Sequence, residues 1–285
     1  MTEPVTVWPA PAKLNLFLQI VGRREDGYHL LQTVFQLLDW GDEVEIRLLP
    51  EARIERPEGA EDVPPGQDLA VRAARLLQEA TGTRLGAELR VRKRIPQGGG
   101  FGGGSSDAAT VLCALNRLWG CGLAVDRLAA LGLALGADVP LFVRGRSAWA
   151  EGVGERLRPM ALPPAWFVLV DAGVRLSTAE LFQAAELTRD APAIRMSDFA
   201  LDLVGKNAFA APARARSPEL ARVLDAIAQQ APGGLTGSGG GCYAMASTRE
   251  EAEELARRLA GFGRCVVARG VDRSPLLDRL DGGGG

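Results

Sequence analysis

Apolar and polar residues alternate near the start of the chain with the two-residue period of a β-strand. Every second residue from Leu14 to Ile20 is apolar, which is typical of a strand with one buried face. A charged turn at 23–27 leads to a second apolar strand from Tyr28 to Leu38, and the turn DWGD leads to a third strand, VEIRLL. The pattern therefore predicts three consecutive strands.

Helical spacing of apolar residues replaces this alternation further along the chain. After a loop rich in Pro, Glu and Gly at 51–67, apolar residues three and four positions apart predict a helix over 69–80. Asp68 precedes this helix as an N-cap, and Gly82 follows it as a stop signal. A later helix is predicted from a cap at Asp126 to about Leu135.

A change of composition divides the chain near its middle. Three prolines fall within residues 158–165, which predicts a domain boundary there and two domains, at 1–160 and 161–285. Strands and helices follow one another without a regular βαβ rhythm, so the predicted fold class is α+β. Beyond the boundary the pattern predicts a strand at WFVLVD, helices after Ser177-Thr178 and after Pro218, a capping box of Thr248 and Glu251, and a last strand at CVVARG.

Six glycines lie within the seven positions from 98 to 104. The strand-like stretch AELRVRKRI precedes them, and apolar residues at helical spacing follow from Val111 to Trp119. Glycines let the backbone approach a ligand closely, and a helix that starts near Ser105 presents N–H groups and a positive dipole end. Because both flanks are strongly periodic, a flexible linker is the weaker interpretation. The sequence predicts a phosphate-binding loop, with Ser105 or Ser106 as the helix cap.

Two familiar kinds of phosphate loop do not match this segment. No Gly-Lys-Ser/Thr follows the glycines, so the loop is not of the Walker A kind. The acidic residue that a dinucleotide site needs about 20 residues further on is also missing, since that stretch reads as helix and loop around Asp126.

Composition and charge narrow the classes of partner. The formal net charge of −2 argues against nucleic acid and favours a small phosphate compound. No stretch approaches the roughly 20 apolar residues of a membrane span, and no basic-then-apolar signal pattern opens the chain. The four cysteines are scattered and there is one histidine, which predicts reduced thiols, a cytoplasmic protein and no zinc site.

Three segments resemble motifs of the galactokinase, homoserine kinase, mevalonate kinase and phosphomevalonate kinase (GHMP kinase) superfamily. They are PAPAKLNL at 9–16, PQGGGFGGGSSDAA at 96–109 and LTGSGGGCYA at 235–244. With REDGYHLLQTVFQ and LGADVPLFV, they resemble the members that phosphorylate 4-diphosphocytidyl-2-C-methyl-D-erythritol. The similarity covers essentially the whole chain, with its motifs in the right order.

This resemblance implies a two-domain GHMP kinase fold and a reaction. The N-terminal domain would be like ribosomal protein S5 domain 2, the C-terminal domain ferredoxin-like, with the active site between them. The reaction would be ATP-dependent phosphorylation of the 2-hydroxyl of that cytidine-diphosphate-linked polyol, in the non-mevalonate route to isoprenoid precursors, with Mg²⁺ helping to neutralise phosphate charge. Such kinases are expected to be monomers or weak homodimers.

The resemblance also implies the site residues. Asp138 would accept the proton of the substrate hydroxyl, with Lys13 beside it; on the residues alone, a turn-forming Asp138 and a surface Lys13 are equally plausible. The substrate would contact Tyr28, by stacking on its cytosine ring, Phe182, as a second aromatic on that ring, and His29, by hydrogen bonding. It would also contact Asn15 and Thr178. ATP would contact Pro96, Gln97, Gly98, Gly99, Gly100, Phe101, Gly102, Gly103, Gly104, Ser105 and Ser106.

Departures from the family pattern and rival functions stay open. Asp68 stands where the family usually has asparagine, near the adenine end of ATP, and Asp107 also stands where asparagine is familiar, so Asp107 is not assigned to catalysis. The stretch KNAFA, which contains Asn207, lacks an expected acidic ending and receives no role.

A homoserine or mevalonate kinase is the rival enzyme, although neither acceptor needs the aromatic Tyr28. A nucleotide-sensing or ribosome-associated binding module is the rival from another class.

Overall fold

The computed structural model describes residues 4–282. Within them the chain forms ten strands and nine α-helices. The strands are β1 (Thr6–Arg23), β2 (His29–Leu49), β3 (Ile54–Glu58), β4 (Gly86–Arg92), β5 (Ala148–Gly152), β6 (Arg156–Pro159), β7 (Trp166–Asp171), β8 (Gly233–Leu235), β9 (Gly241–Ala246) and β10 (Arg264–Val271). The helices are α1 (Leu69–Thr81), α2 (Gly103–Leu118), α3 (Val125–Leu133), α4 (Val139–Arg144), α5 (Thr178–Gln183), α6 (Ala210–Arg216), α7 (Pro218–Ala228), α8 (Arg249–Leu259) and α9 (Pro275–Asp281).

The first two strands form one long antiparallel hairpin in place of three shorter strands. The predicted turn at DWGD is wrong, because β2 continues through it: Gly41 pairs with Pro11 on β1, and residues 43–49 also pair with β4. Hydrogen bonding along both edges of β2 thus overrides the local preference of DWGD for a turn. The β1–β2 register shifts between Pro11 and Lys13, and such an irregularity redirects the side chains that follow it.

The strands join into one mixed sheet in the order β3-β4-β2-β10-β7-β9-β8, with β1 and β5 paired to β2, and β6 to β5. Strand β3 runs parallel to β4, and the other pairs are antiparallel. The loop predicted at 51–67 is therefore wrong for part of its length, since Ile54 pairs with Ala87. The α+β fold class is confirmed, while the boundary between 1–160 and 161–285 stays a prediction.

The predicted ends of α1 are confirmed, whereas those of α3 are wrong. Asp68 caps α1 by accepting from the Ala70 N–H, and Gly82 ends it in the left-handed conformation. Asp126 does not cap α3, which follows a cap at Ala124 and ends at Leu133 rather than near Leu135. Asp126 lies inside the first turn instead, where its carboxylate lies 2.8 Å from the guanidinium of Arg144 on α4.

The second half of the chain matches the predicted starts of its helices. Ser177 caps α5, and Ser217 caps α7. The Thr248 hydroxyl caps α8 by accepting from the Glu251 N–H at 3.2 Å. The Glu251 carboxylate accepts from the N–H of Ser247 rather than from that of Thr248, so the predicted capping box is displaced by one residue.

Besides β3, several short elements were not predicted, among them α4, α6, α9, β8 and β9. Each has seven residues or fewer, too few to show a period.

The thiols of Cys113, Cys121, Cys242 and Cys265 are free, and burial raises the pKa of the Cys113 thiol to about 12. In the part of the chain that the structure describes, no helix is long and apolar enough to cross a membrane.

Candidate active site

Two glycine-rich loops pack against each other, backbone to backbone. The first glycine loop (96–102) precedes α2, and the second glycine loop (236–240) joins β8 to β9. The Gly240 N–H donates to the carbonyl of Gly98 at 3.2 Å. Gly100 has a φ of +77°, and a Cβ there would lie 2.2 Å from a carbonyl oxygen of the second loop. Only glycine permits this approach, so the first glycine loop depends on the second glycine loop for its shape.

Helix α2 starts directly after the first glycine loop. It begins at Gly103, with Gly102 as its cap at a φ of +80° and no capping side chain. The prediction that Ser105 or Ser106 caps the helix is wrong, because both lie inside its first turn. The Ser106 hydroxyl is buried and has no hydrogen-bond partner within residues 4–282. The first turn thus retains N–H groups that no side chain caps, as an anion site requires.

Lys13 and Asp138 lie together beside the first glycine loop. The Lys13 Nζ is 3.3 Å from Asp138 Oδ2 and donates to Asn15 Oδ1 at 2.6 Å. The Lys13 ammonium also lies 5.3 Å from the centre of the Phe35 ring, within cation–π range. The backbone N–H of Lys13 donates to the Phe101 carbonyl at 3.0 Å. The lysine is thus fixed by four neighbours, and it is not a surface charge.

Asp138 comes directly before the short helix α4, and its carboxylate does not stabilise the start of that helix. Its side chain makes no capping hydrogen bond to α4. Its backbone carbonyl accepts from the Leu141 N–H at 3.2 Å, so the backbone alone forms the turn. The carboxylate lines a cavity of about 320 Å³ shared with Lys13 and Thr33.

Asn15 orients Lys13 from within the strand β1. Its Nδ2 donates to Thr33 Oγ1 at 2.8 Å, which fixes the amide with Oδ1 toward the lysine. Its backbone N–H donates to Thr236 Oγ1 at 2.9 Å, so the second glycine loop is attached to the same residue. Asn15 is buried; its contact with the substrate stays a prediction.

Aromatic side chains line the opposite end of the cleft. Tyr28 is 64% exposed. The His29 ring stacks on Phe182 with 4.6 Å between centres and 16° between planes, so one face of Phe182 is covered by this histidine. Phe182 also meets Phe209 edge to face, with centres 5.0 Å apart. Of the predicted aromatic contacts, Tyr28 therefore has the open ring face.

The aromatic end and the Lys13–Asp138 end belong to one cleft. The larger cavity, of about 970 Å³, contains Tyr28 and His29. It shares Leu31, Ala137, Val153 and Phe182 with the smaller cavity of Lys13 and Asp138. An elongated ligand with an aromatic group at one end can therefore reach the Lys13–Asp138 pair with the other.

His29 is held in the neutral form at this end of the cleft. Burial, with the charges of Arg23 and Arg189, lowers the pKa of its imidazole below the usual 6.5. Its Nε2 is buried and has no hydrogen-bond partner in the described part of the chain. A neutral imidazole nitrogen in that position can accept a hydrogen bond from a ligand.

Comparison with known proteins matches this geometry to a family. The family model "GHMP kinases N terminal domain" matches residues 68–146, and "GHMP kinases C terminal" matches residues 181–265. A 4-diphosphocytidyl-2-C-methyl-D-erythritol kinase of Xanthomonas campestris pv. campestris is 59% identical over 281 residues, which cover 97% of this chain and 94% of the relative. The chain belongs to the 4-diphosphocytidyl-2-C-methyl-D-erythritol kinase family of GHMP kinases.

Solved structures agree with this assignment. A crystal structure of 4-(cytidine 5'-diphospho)-2C-methyl-D-erythritol kinase superposes with a TM-score of 0.82 at 34% identity, covering 93% of this chain and 99% of that one. A homoserine kinase of Cytophaga hutchinsonii has a TM-score of 0.71 at 15% identity, covering 95% of each chain, and so shows the fold alone. The predicted GHMP kinase fold is confirmed, and membership implies ATP as the co-substrate.

Of the remaining predicted contacts, Thr178, Gly100 and Gly102 line the smaller cavity of the same cleft. The Thr178 hydroxyl shares a hydrogen bond of 2.7 Å with that of Ser238 in the second glycine loop, and both line the smaller cavity. Phe101 differs from the rest of the first glycine loop, because its side chain is buried in the core. It can meet ATP only through its backbone.

A buried charge cluster behind the first glycine loop was missed by sequence reasoning. Lys93 Nζ donates to Asp107 Oδ2 at 2.7 Å and also to the buried Asp42. Burial and the second carboxylate together raise the pKa of Asp107 to about 7, although Lys93 acts to lower it. Asp42 also accepts from the backbone N–H of Ile95 at 2.8 Å, so the cluster fixes the chain that enters the loop. Lys93 had appeared only as one position of an alternating strand.

Asp68 is occupied by contacts within the protein. One carboxylate oxygen caps α1 at the Ala70 N–H, and the other accepts from Arg56 at 2.7 Å. The Arg56 side chain is almost fully buried and also donates to the carbonyls of Ala60 and Val63. The resemblance suggested asparagine at this position; this kinase has Asp68 instead, and Arg56 neutralises its carboxylate.

Proposed function

We propose that this kinase transfers the γ-phosphoryl group of ATP to the 2-hydroxyl of 4-diphosphocytidyl-2-C-methyl-D-erythritol, a step of the non-mevalonate route to isoprenoid precursors. The observation that carries the proposal is the single cleft from Tyr28 and His29 to Lys13 and Asp138. A ligand with an aromatic base, a diphosphate and a short polyol has the chemistry to occupy it.

We assign the chemical step to Asp138 and Lys13. The substrate hydroxyl oxygen attacks the γ-phosphorus, the bond from that phosphorus to ADP breaks, and the hydroxyl proton passes to the Asp138 carboxylate. The accessible carboxylate, without a capping partner, is suited to orient that hydroxyl. Lys13, fixed by Asn15, supplies positive charge where the transferred phosphoryl group carries negative charge.

We assign the cytosine ring to the aromatic end of the cleft. The open face of Tyr28 can stack on the base, and base–aromatic stacking contributes about 1–3 kcal/mol in other nucleic-acid sites. The neutral Nε2 of His29 can accept from the exocyclic amino group, which is the hydrogen-bond donor that identifies cytosine. Phe182 acts by holding the His29 ring in place.

The first glycine loop and the start of α2 are the proposed site of the ATP phosphates. Mg²⁺ typically binds through substrate phosphates and only one or two protein oxygens. Within residues 4–282 no three His, Cys, Asp or Glu side chains form a group that could hold an ion alone, which suits an ion bound mainly by ATP. The unpaired, buried hydroxyl of Ser106 fits such a ligand and would hold the ion, which when bound neutralises phosphate charge.

One assay separates this function from its rivals. ATP turnover is measured with the cytidylated substrate, with homoserine and with mevalonate as alternative acceptors. Turnover confined to the cytidylated substrate is expected. Preference for another acceptor would replace the proposed substrate, and ATP binding without turnover of any acceptor would favour a sensing or ribosome-associated module.

Oligomeric state and location remain to be tested. The monomer or weak homodimer stays a prediction, which sedimentation velocity at several concentrations would decide. The cytoplasmic location stays a prediction that cell fractionation can check.

A further inference from the structure

Asn207 uses its whole side chain to connect two parts of the cleft. Its Nδ2 donates to the carbonyls of Leu235 and Gly237, each at 2.9 Å. Its Oδ1 accepts from the Phe209 N–H at 2.9 Å. One amide therefore holds the second glycine loop on one side and the backbone before α6 on the other.

The loop side of Asn207 leads to the Lys13–Asp138 pair. Gly237 lines the same cavity as Lys13, and a Cβ built on Gly237 would lie 3.5 Å from Asn15 Oδ1. That oxygen is the one that accepts from Lys13. A shift of the Gly237 backbone would therefore displace Asn15, the residue that orients Lys13.

The other side of Asn207 leads to the nucleoside end. Phe209 packs edge to face on Phe182, which stacks on His29. The backbone around Asn207 is itself fixed to β1, because Leu18 accepts from Ala208 and donates to Lys206, each at 2.9 Å. Asn207 thus lies at a rigid point between the base-binding wall and the loop.

We propose that Asn207 is a positioning residue that sets the distance between the nucleoside wall and the site of phosphoryl transfer. This inference rests on the proposed function, because it assumes an acceptor that spans both ends of the cleft. We assign Asn207 no catalytic role of its own, because its side-chain donor and acceptor groups are all engaged by backbone groups. Its effect is on geometry, and small misplacements in such sites reduce rates by up to about 100-fold.

The test is Asn207→Asp, which keeps the shape but turns an oxygen toward two carbonyl oxygens. Asn116→Asp is the matched control, because Asn116 holds a backbone segment in the same way outside the cleft. Its Oδ1 accepts from the Leu123 N–H at 2.9 Å, and its Nδ2 donates to the Leu123 carbonyl at 3.0 Å. The Tm of both variants is measured first. Steady-state kinetics and ATP affinity by calorimetry are then measured for both at a temperature where both are folded.

We expect Asn207→Asp to lower kcat with the cytidylated substrate by about 10- to 100-fold, while the Kd for ATP changes by a much smaller factor. Asn116→Asp should lower Tm to a similar extent and leave kcat within about twofold. If Asn207→Asp fails to fold, Asn207→Ala removes the same donors without opposed oxygens and should lower kcat in the same direction.

Two results would overturn the proposal: wild-type kcat in a folded Asn207 variant, or a loss of ATP affinity as large as the loss of kcat. The wild-type assay with three acceptors is independent of these variants. Failure of the proposed substrate would appear there, whereas failure of the Asn207 inference would leave wild-type turnover unchanged.

Discussion

The Lys13 ammonium and the Asp138 carboxylate lie 3.3 Å apart, yet only 4% of the lysine side chain is exposed against 31% of the aspartate. Asn15 fixes the lysine from behind, while the aspartate side chain has no capping partner. The pair thus combines a fixed charge with an accessible acceptor. This asymmetry agrees with a lysine that stabilises phosphoryl charge and an aspartate that meets the incoming hydroxyl.

Asp138→Asn is expected to lower kcat by about 10²–10⁴-fold, the usual effect of losing a general base. ATP affinity should stay nearly unchanged, because Asp138 is assigned to the acceptor hydroxyl. Single-turnover phosphoryl transfer and ATP calorimetry measure the two effects separately. Lys13→Ala should also lower kcat steeply, since the charge beside the phosphoryl group is lost.

Asp126→Asn is the matched control for Asp138→Asn. Asp126 pairs with Arg144 at 2.8 Å on the surface, and exposed pairs contribute about 1 kcal/mol or less. Its kcat should equal that of the wild type. If Asp138→Asn transfers phosphate within a few-fold of the wild-type rate, Asp138 is not part of the mechanism.

Local pattern predicted the elements that have their own period or cap. Asp68, Gly82 and Ser177 end or begin helices as expected, because a cap depends on a few neighbouring residues. Pairing between distant segments could not be predicted in this way. DWGD continues as a strand because two partners bond β2, and Ile54 becomes part of a strand because Ala87 lies beside it.

Gly104→Val is expected to weaken ATP binding by about 10- to 100-fold, the range for losing hydrogen bonds to a charged group. Gly104 is exposed in the first turn of α2, and a Cβ there would meet only Leu69, at 3.5 Å. The fold should tolerate the change, but the valine side chain would stand where phosphate approaches. Gly103 is less suitable, since a Cβ there would crowd Ile95 at 3.1 Å.

Calorimetry with ATP and with the cytidylated substrate checks this prediction. Affinity for the cytidylated substrate should be unchanged in Gly104→Val. Gly261→Val is the control, because a Cβ on Gly261 meets no atom within 4 Å. Unchanged ATP affinity in a folded Gly104→Val would mean that the start of α2 does not bind the phosphates.

Tyr28→Ala is expected to raise the KM for the cytidylated substrate by about 10- to 100-fold, which corresponds to the free energy of one base–aromatic stack. The contact is made equally before and during phosphoryl transfer, so kcat should change far less. Steady-state kinetics at saturating ATP measure both constants. Phe262→Ala, which removes another exposed aromatic ring, should leave both unchanged. A fall in kcat with KM unaltered would contradict the stacking role.

The candidate site shows the same limit of sequence reasoning as the fold. The motifs that contain Lys13 and Asp138 indicated which residues to examine, and the structure brings both side chains together. The Asp42–Lys93–Asp107 cluster gave no local signal, because its three charges come from segments far apart in sequence. Either Ser105 or Ser106 was expected to cap α2, and neither does, because the glycine at 102 already turns the chain.

The last prediction concerns the pH dependence of binding at His29. Its pKa lies below 6.5 because of burial and the charges of Arg23 and Arg189; Asp26 is the acidic side chain that lines the same cavity. At pH 7 the ring is therefore neutral and can accept from the cytosine amino group. As the pH falls through this lowered pKa, the ring gains a proton, loses its acceptor and adds a third positive charge beside the two arginines.

The KM for the cytidylated substrate should therefore rise in the wild type as the pH falls from 7 through the lowered pKa of His29. His29→Asn keeps a hydrogen-bond acceptor that does not titrate, so its KM should change less over the same range. Steady-state kinetics at saturating ATP, expressed as the ratio of wild-type to variant KM at each pH, cancels the groups that titrate in both enzymes. A ratio that rises below pH 6.5 supports the neutral acceptor, whereas a ratio independent of pH would exclude His29 from recognition of the base.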